Sequence, residues 1–174
     1  EGREFVLITA HRRENLGEPM REICRAIAAL ALQHPKLDFI YPVHPNPAVR
    51  QVVNQALAGL SNVLLVEPCD YPVFCQLMSH ARLILSDSGG VQEEAPALGK
   101  PVLVLREETE RPEAVERGCN QLVGTQFERI VSAANELLTN SDKYQQMATA
   151  GSPYGDGQAS AKILDVLQAT LCKT

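Results

Sequence analysis

Two carboxylates follow a glycine turn near the middle of the chain, and this spacing of residue types suits anion binding. The stretch reads Asp87-Ser-Gly-Gly-Val-Gln-Glu-Glu94 and comes directly after the apolar run Leu83–Ser86. Glycines let a phosphate approach the backbone, and the free N–H groups and dipole of a helix start favour negative charge. The alternative is that Ser88 and the glycines cap a short helix while Glu93 and Glu94 complement its dipole. The stretch alone leaves phosphate binding and helix capping equally open.

Two further side chains near this turn suit a nucleoside. Glu94 lies one helical turn after the glycines, and a carboxylate there can accept hydrogen bonds from both hydroxyls of a ribose. The apolar neighbours that follow it favour this over a plain surface role. Phe74 is suited to line a base pocket, although an isolated aromatic is more often a core residue.

The elements that must position these residues alternate regularly along the chain. Apolar, β-favouring runs predict six strands, at residues 4–10, 37–43, 62–66, 83–86, 101–105 and 121–123. Between and after them, helices are expected from Pro19 onward and at residues 48–58, 71–80, 126–138, 143–150 and 159–171, with a short one after the glycine turn. The first of these helices is predicted to carry an apolar stripe on one face, formed by Ile23, Ile27, Leu30 and Ala31. Strands alternating with helices predict a doubly wound, Rossmann-like parallel sheet covered by helices on both faces.

The polar residues concentrate in the loops that follow the strands. These loops are His11 to Asn15, His44 to Asn46, Cys69-Asp70, Asp87 to Gly90, and Arg106 to Arg111. In open α/β sheets ligands bind outside the carboxyl ends of the strands, so all five loops are expected along one edge. Two histidines, a glycine helix start and several arginines on one rim favour a phosphorylated ligand over unrelated helix caps.

Composition narrows the class of protein. The 174 residues fit one domain, and a net charge of -5 argues against nucleic-acid or anionic-membrane partners. No apolar run has the length of a membrane span, and the start lacks the pattern of a signal peptide, so a cytoplasmic location is expected. The five cysteines are widely spaced with no Cys-x-x-Cys pair, which predicts free thiols and no metal site.

Three common sites are excluded by their motifs. The first turn reads His-Arg-Arg-Glu, not Gly-x-Gly-x-x-Gly, so no nicotinamide or flavin cofactor is expected. A P-loop is not found, because Gly99-Lys100 precedes a strand and does not open a helix. A nucleophile elbow is not found either, because Asp87 and not glycine begins the serine turn.

Five blocks in order resemble the carboxyl-terminal half of the non-hydrolysing bacterial UDP-N-acetylglucosamine 2-epimerases. They are Thr9-Ala-His-Arg-Arg-Glu-Asn15, Tyr41-Pro-Val-His-Pro-Asn46, Asp87-Ser-Gly-Gly-Val-Gln-Glu-Glu-Ala-Pro96, Glu110-Arg-Pro-Glu-Ala114 and Pro153-Tyr-Gly-Asp-Gly157. The resemblance implies that residues 1–174 are the second, UDP-binding domain of a two-domain fold like that of the GT-B glycosyltransferases. It also implies a partner amino-terminal domain, which carries the acid and base carboxylates, and a homodimer of the full-length protein.

The activity implied is the interconversion of UDP-N-acetylglucosamine and UDP-N-acetylmannosamine for surface polysaccharides. A proton leaves sugar carbon 2 while UDP departs from carbon 1, and UDP then re-adds with the proton returned to the opposite face. Such an elimination needs a cationic, donor-rich site for the diphosphate.

The resemblance also assigns roles to individual residues. The matched positions are His11 as a catalytic residue at the diphosphate, Ser88, Gly89 and Gly90 as the phosphate turn, Glu94 at the ribose, Phe74 in the nucleotide pocket, Arg111 as a further substrate contact, and Arg12 with His44 at an activator site for a second UDP-N-acetylglucosamine. One position departs from the family pattern. Cys69 stands where relatives carry a glutamine that contacts the nucleotide, and a thiol is a weak donor.

Other functions remain open at this stage. The chain also fits the donor domain of a GT-B glycosyltransferase, or a hydrolysing epimerase that releases UDP and free N-acetylmannosamine. On its own it fits a UDP-binding module without turnover.

Overall fold

A computed structural model describes residues 2–155 and 157–171, which form one six-stranded parallel sheet with helices on both faces. The strand order is β3-β2-β1-β4-β5-β6, and all five neighbouring pairs are parallel. The strands are β1 (Phe5–Thr9), β2 (Asp38–Pro42), β3 (Val63–Val66), β4 (Leu83–Ser86), β5 (Val102–Val104) and β6 (Asn120–Leu122). The doubly wound Rossmann-like prediction is confirmed.

Eight α-helices connect and follow the strands within the described residues. They are α1 (Glu18–Gln33), α2 (Pro47–Leu57), α3 (Tyr71–His80), α4 (Gly89–Glu94), α5 (Pro112–Arg117), α6 (Phe127–Thr139), α7 (Ser141–Ala148) and α8 (Ala159–Leu171). Single 3-10 turns lie at Arg13–Asn15 and Ala95–Leu98. Prolines begin several of these helices, because a proline in the first turn needs no amide hydrogen and already has the required φ.

The core lies on both faces of the central strand β1. Val6 and Ile8 face the larger apolar cluster, whereas Leu7 between them faces the smaller one, as the alternation of side chains along a strand requires. Helix α1 packs against α2 and α6 over the larger cluster. Its predicted apolar stripe, with Ile23 and Ile27, is fully buried. Burial of each such side chain contributes about 1.5–3 kcal/mol, so these positions hold the scaffold under the site.

All strands are parallel, but the order in which the chain adds them to the sheet reverses between β1 and β4. The chain runs outward through β2 and β3 on one side of β1, then returns to pair β4 with β1 and continues outward on the other side. The carboxyl ends of both strands are in register, with Thr9 opposite Ser86 and their hydroxyl oxygens 2.6 Å apart. Ligands of open α/β sheets bind at this kind of reversal, so the loops after β1 and β4 define where to look.

Two local features differ from the sequence-based predictions. No helix was predicted between residues 105 and 121, yet the Glu110-Arg-Pro-Glu segment leads into helix α5, with Pro112 in its first turn and Gly118 at its left-handed end, φ 84°. Six residues are too few for a periodic pattern to reveal this helix. The predicted polar loop after β1 also contains the 3-10 turn Arg13–Asn15. Asp156, in the last of the five blocks, lies outside the described residues.

Candidate nucleotide-binding site

A cavity of about 250 Å³ opens at the carboxyl edge of the sheet, where the sequence places the ligand. Its lining comes from the ends of β1, β2 and β4, from the loop before α3, and from α3 and α4. The residues that matter for chemistry are Thr9, His11, His44, Cys69, Phe74 and Ser88. Four predicted site residues, His11, His44, Phe74 and Ser88, therefore share one cavity. Cys69 lines it as well, with its thiol partly exposed.

The loop after β1 is held in place by the buried carboxylate of Asp87. Oδ2 of Asp87 accepts hydrogen bonds from the backbone N–H groups of His11 and Arg12, both at 2.8 Å. The same oxygen accepts from Nδ2 of Asn15 at 3.0 Å, and Nδ2 also donates to the carbonyl of Leu105 at 3.1 Å. One buried amide thus joins the loops after β1, β4 and β5.

His11 stands at the entrance of the cavity in a mixed electrostatic environment. Its ring stacks on that of His44, with centroids 5.0 Å apart and planes 8° from parallel. Partial burial lowers the pKa of His11; the carboxylate of Asp87 raises it, whereas His44 and the Arg12 guanidinium lower it further. The net direction is downward, so the neutral imidazole is favoured at neutral pH.

The turn after β4 leaves its serine hydroxyl free of a capping role. Ser88 occupies the position before α4, but its side chain makes no capping hydrogen bond to the helix in the described structure. Its backbone N–H instead donates to Oγ of Ser86 at 3.0 Å. Ser88 therefore lies at the N-cap position without a side-chain capping bond and also lines the cavity, and phosphate binding at this turn stays a prediction.

Arg111 lies directly beside the glycine turn. A Cβ built on Gly89 would be only 3.2 Å from Cζ of Arg111, so the absence of a side chain at this position allows the close approach. Nε of Arg111 donates to Glu93 at 2.6 Å, and Nη1 lies 3.6 Å from Glu110. The guanidinium does not line the cavity, but it is fixed next to Gly89, one of the predicted phosphate-binding residues.

A hydrogen-bonded chain fixes the loop that carries Arg111. Fully buried Gln92 donates to the carbonyl of Ser88 at 3.3 Å and accepts from the hydroxyl of Thr109 at 2.5 Å. That hydroxyl oxygen accepts the backbone N–H of Arg111 at 3.1 Å. The loop after β5 is thereby tied to the helix that begins at the glycine turn.

Glu94 is the last residue of α4 and is not among the residues that line the cavity. One carboxylate oxygen, Oε2, accepts the hydroxyl hydrogen of Tyr71 at 2.8 Å. The other, Oε1, lies 3.6 Å from where a Cβ of Gly90 would be. The hydrogen bond to Glu94 raises the pKa of the Tyr71 hydroxyl, with Cys75 adding to the effect, so this tyrosine stays a donor.

Phe74 takes part in both of the roles considered for it. It is half-buried, packs against the smaller core cluster, and lines the cavity. A core position and a wall of a base pocket are thus compatible at one aromatic ring.

The two residues matched to an activator site do not share one cavity. His44 lines the cavity beside His11, and its Nδ1 accepts the backbone N–H of Asn46 at 3.1 Å. The guanidinium of Arg12 lies instead toward the loop after β5, 3.8 Å from Glu110. Their shared role as activator contacts stays a prediction.

Sequence reasoning did not assign several residues that build this site. They are Asn15, Tyr71, Asp87, Gln92 and Thr109. Asn15, Asp87 and Gln92 belong to blocks that were singled out, yet a sequence does not reveal which of their side chains are buried. Packing of α3 brings Tyr71 close to the site, and the loop after β5 does the same for Thr109. Neither contact can be read from the residues next to these positions in the sequence.

Three further features of the described structure add nothing to this site. A larger cavity, about 370 Å³, lies at the opposite edge of the sheet beside Glu4, Lys36 and Arg82, away from every predicted site residue. Among the described residues, no three His, Cys, Asp or Glu side chains are grouped closely enough for a metal ion. None of the described helices combines the length and apolar character that crossing a membrane requires.

The six-stranded parallel sheet and the cavity at its carboxyl edge define the chain as a Rossmann-like domain of the GT-B type. Residues 1–168 match the family described as UDP-N-acetylglucosamine 2-epimerase. A UDP-N-acetylglucosamine 2-epimerase of Escherichia coli (strain K12) is 52% identical over 166 residues, which cover 95% of this chain and 44% of that protein. The chain belongs to the UDP-N-acetylglucosamine 2-epimerase family.

Solved structures agree with this assignment. The UDP-N-acetylglucosamine 2-epimerase of Neisseria meningitidis, solved with UDP-N-acetylglucosamine bound, superposes with a TM-score of 0.91 at 47% identity, covering 96% of this chain and 45% of that one. A protein of S. aureus solved with UDP superposes with a TM-score of 0.92 at 44% identity, covering 99% and 47%. The chain spans less than half the length of the relatives it matches.

Proposed function

We propose that this chain is the nucleotide-binding half of a UDP-N-acetylglucosamine 2-epimerase. The observation that carries the proposal is the convergence of His11, Phe74 and Ser88 on one cavity at the sheet reversal, with Arg111 beside Gly89. An aromatic wall, a free hydroxyl and a guanidinium are groups that suit a base and a diphosphate. Membership of the family and the two relatives solved with UDP or UDP-N-acetylglucosamine support the same ligand.

In the proposed reaction this half holds the leaving group. The proton leaves carbon 2 of the sugar while UDP departs from carbon 1, and both return with the carbon 2 configuration inverted. The diphosphate gains negative charge as it leaves, so Arg111 and the glycine turn stabilise it while His11 contacts it. Glu94 anchors the ribose through the oxygen that Tyr71 does not occupy.

The proton-moving carboxylates are proposed to lie on a further, amino-terminal domain. The chain covers 44% of the Escherichia coli relative and 47% of the S. aureus protein. Helix α8 also exposes large apolar side chains, namely Ile163, Leu164, Val166, Leu167 and Leu171. Apolar residues concentrated on an exposed helix are typical of a surface that another domain covers. A homodimer, the activator site and a role in polysaccharide synthesis are further proposals from the family resemblance.

Deuterium exchange tests the reaction class. The complete enzyme is incubated with UDP-N-acetylglucosamine in deuterated water, and incorporation at carbon 2 is followed by mass spectrometry. An epimerase must incorporate deuterium there, whereas a GT-B glycosyltransferase need not. Release of free N-acetylmannosamine during the same incubation identifies the hydrolysing variant.

Calorimetry on this chain alone tests whether nucleotide binding and proton transfer belong to different domains. We expect measurable UDP binding and no turnover, with Glu94→Ala weakening the binding. Detectable turnover by this chain would contradict the assignment of the proton chemistry to another domain. Absence of UDP binding would contradict a nucleotide site that this half forms on its own.

A further inference from the structure

Asp87 is the one fully buried carboxylate among the residues that the structure describes. It lies at the end of β4, between Ser86 and the glycine turn, and belongs to the same reversal of the sheet as His11. A buried carboxylate is costly unless it is hydrogen-bonded or paired with a cation. The partners of its two oxygens therefore indicate what it does.

The two oxygens of Asp87 have different environments. Oδ2 accepts three hydrogen bonds, from the backbone of His11 and Arg12 and from the side chain of Asn15. Oδ1 is buried and has no hydrogen-bond partner within the described structure. Within the described structure, the titratable nitrogen that lies closest to Oδ1 is Nδ1 of His11, at 3.8 Å. Oδ2 thus holds the loop, and Oδ1 is left facing the imidazole.

We propose that Asp87 is a positioning residue that fixes the tautomer of His11. Oδ1 accepts the hydrogen of Nδ1, which leaves Nε2 as the nitrogen available to the ligand. The separation of 3.8 Å exceeds a hydrogen bond, and such contacts commonly tighten when substrate is bound. The inference rests on the proposed function, in which His11 contacts the diphosphate.

The other titratable and charged groups described around His11, His44 and Arg12, do not suit this role. His44 stacks on the ring, and its own Nδ1 accepts from the backbone of Asn46, so neutral His44 carries its hydrogen on Nε2. The guanidinium of Arg12 is a cation and cannot accept a hydrogen bond. Among the titratable and charged groups that act on His11 in the described structure, Asp87 is the one anionic acceptor for Nδ1–H, in the way that a buried aspartate orients a catalytic histidine in serine proteases.

The first test needs no substitution at Asp87. The chain is labelled with ¹⁵N-histidine, and the tautomer of His11 is measured from the shifts of its two ring nitrogens at a pH where it is neutral. His11→Gln identifies its signals among the four histidines. We expect hydrogen on Nδ1. Hydrogen on Nε2 in the neutral ring would overturn the inference.

Asp87→Asn is the second test, because an amide has the shape of the carboxylate. Its oxygen can serve the three donors at Oδ2, so its NH₂ group replaces Oδ1 and presents hydrogens to Nδ1. The tautomer is expected to switch to Nε2–H. In the complete enzyme kcat is expected to fall by about 10²-fold, with KM changed much less, and the acidic limb of the pH–rate profile to move to lower pH.

Asn15→Ala is the matched control. It removes one donor to Oδ2 and loosens the loop, but it leaves Oδ1 facing His11, so the tautomer should remain Nδ1–H. A loss of kcat in Asp87→Asn without a change of the His11 tautomer would show that Asp87 has only a structural role, and it would contradict the proposal. Should Asp87→Asn fail to fold, the tautomers of the unmodified chain and of Asn15→Ala decide the question. Failure of deuterium exchange would reject the proposed function and leave these tautomer results standing.

Discussion

At the scale of single residues, the environment of His11 makes the stability of the chain depend on pH. Burial, His44 and Arg12 outweigh Asp87 and lower the folded-state pKa of His11 below its ordinary value of 6.5. Between the folded and unfolded pKa values the unfolded chain binds more protons. The stability contributed by neutral His11 is therefore complete above about pH 6.5 and is lost as the pH falls through this window.

His11→Gln is expected to flatten this dependence. The free energy of unfolding, measured by urea denaturation at pH 7.5 and 5.5, should fall less on acidification than in the unmodified chain. His80→Gln removes an exposed histidine near the opposite edge of the sheet and serves as the control. An identical pH dependence in His11→Gln and the unmodified chain would show that His11 titrates at its ordinary pKa.

Gly89 tests the contact between the glycine turn and Arg111. The backbone of Gly89 is helical, so alanine fits the conformation and is not expected to unfold the chain. Its methyl group would meet the guanidinium at 3.2 Å and displace it. We expect Gly89→Ala to weaken UDP binding about tenfold, the size of one charge-assisted hydrogen bond, with no loss of thermal stability.

A double-mutant cycle with Arg111→Gln shows whether the effect passes through Arg111. If it does, Gly89→Ala adds little to the loss already caused by Arg111→Gln in calorimetry with UDP. Fully additive losses would mean that the methyl group obstructs the ligand directly and that Arg111 is not displaced.

At the scale of secondary-structure elements, the loop after β5 is positioned by α4 through Thr109. Thr109→Val keeps the shape but removes the hydroxyl, which leaves the side-chain oxygen of fully buried Gln92 without its donor. It also removes the acceptor for the backbone N–H of Arg111. We expect a loss of about 1–3 kcal/mol in the free energy of unfolding, together with weaker UDP binding.

Thr109→Ser is the control for this prediction, because it retains the hydroxyl and removes one methyl group. Its stability and UDP affinity should stay close to those of the unmodified chain. Equal losses in both variants would assign the effect to packing of the methyl group, and unchanged UDP affinity in Thr109→Val would show that the loop does not need this link.

The elements were largely predictable because long apolar runs and periodic stripes report burial directly. Helix α3 and strand β4 have the predicted bounds, and the stripe with Ile23 and Ile27 is buried as expected. Helix α5 was missed because its six residues make fewer than two turns, too short for a repeating apolar pattern. The strand order followed from βαβ connectivity only in outline, whereas the edge that collects the polar loops followed from the direction of the parallel strands.

At the scale of the whole molecule, the sequence predicted which edge of the sheet collects the candidate site residues, but not how these residues contact one another. His11 and Ser88 were expected on one rim, and they line one cavity. The burial of Asp87 and its bonds to the loop after β1 depend on contacts between residues more than 70 positions apart. Such contacts arise from packing of the complete sheet, for which a single sequence has no local signal.

Hydrogen exchange across the whole molecule distinguishes the two edges of the sheet. The central strands β1 and β4 are almost fully buried and should exchange only on global unfolding, whereas helix α8, with no buried residue, should exchange first.

UDP at about 100 times its dissociation constant stabilises the folded chain by about 2.7 kcal/mol. Protection above this global effect is expected at residues 11–12, 88–91 and 109–111. The larger cavity beside Lys36 and Arg82 serves as the internal control. Ligand-specific protection there would place the nucleotide at the opposite edge of the sheet and would contradict every binding residue proposed for it.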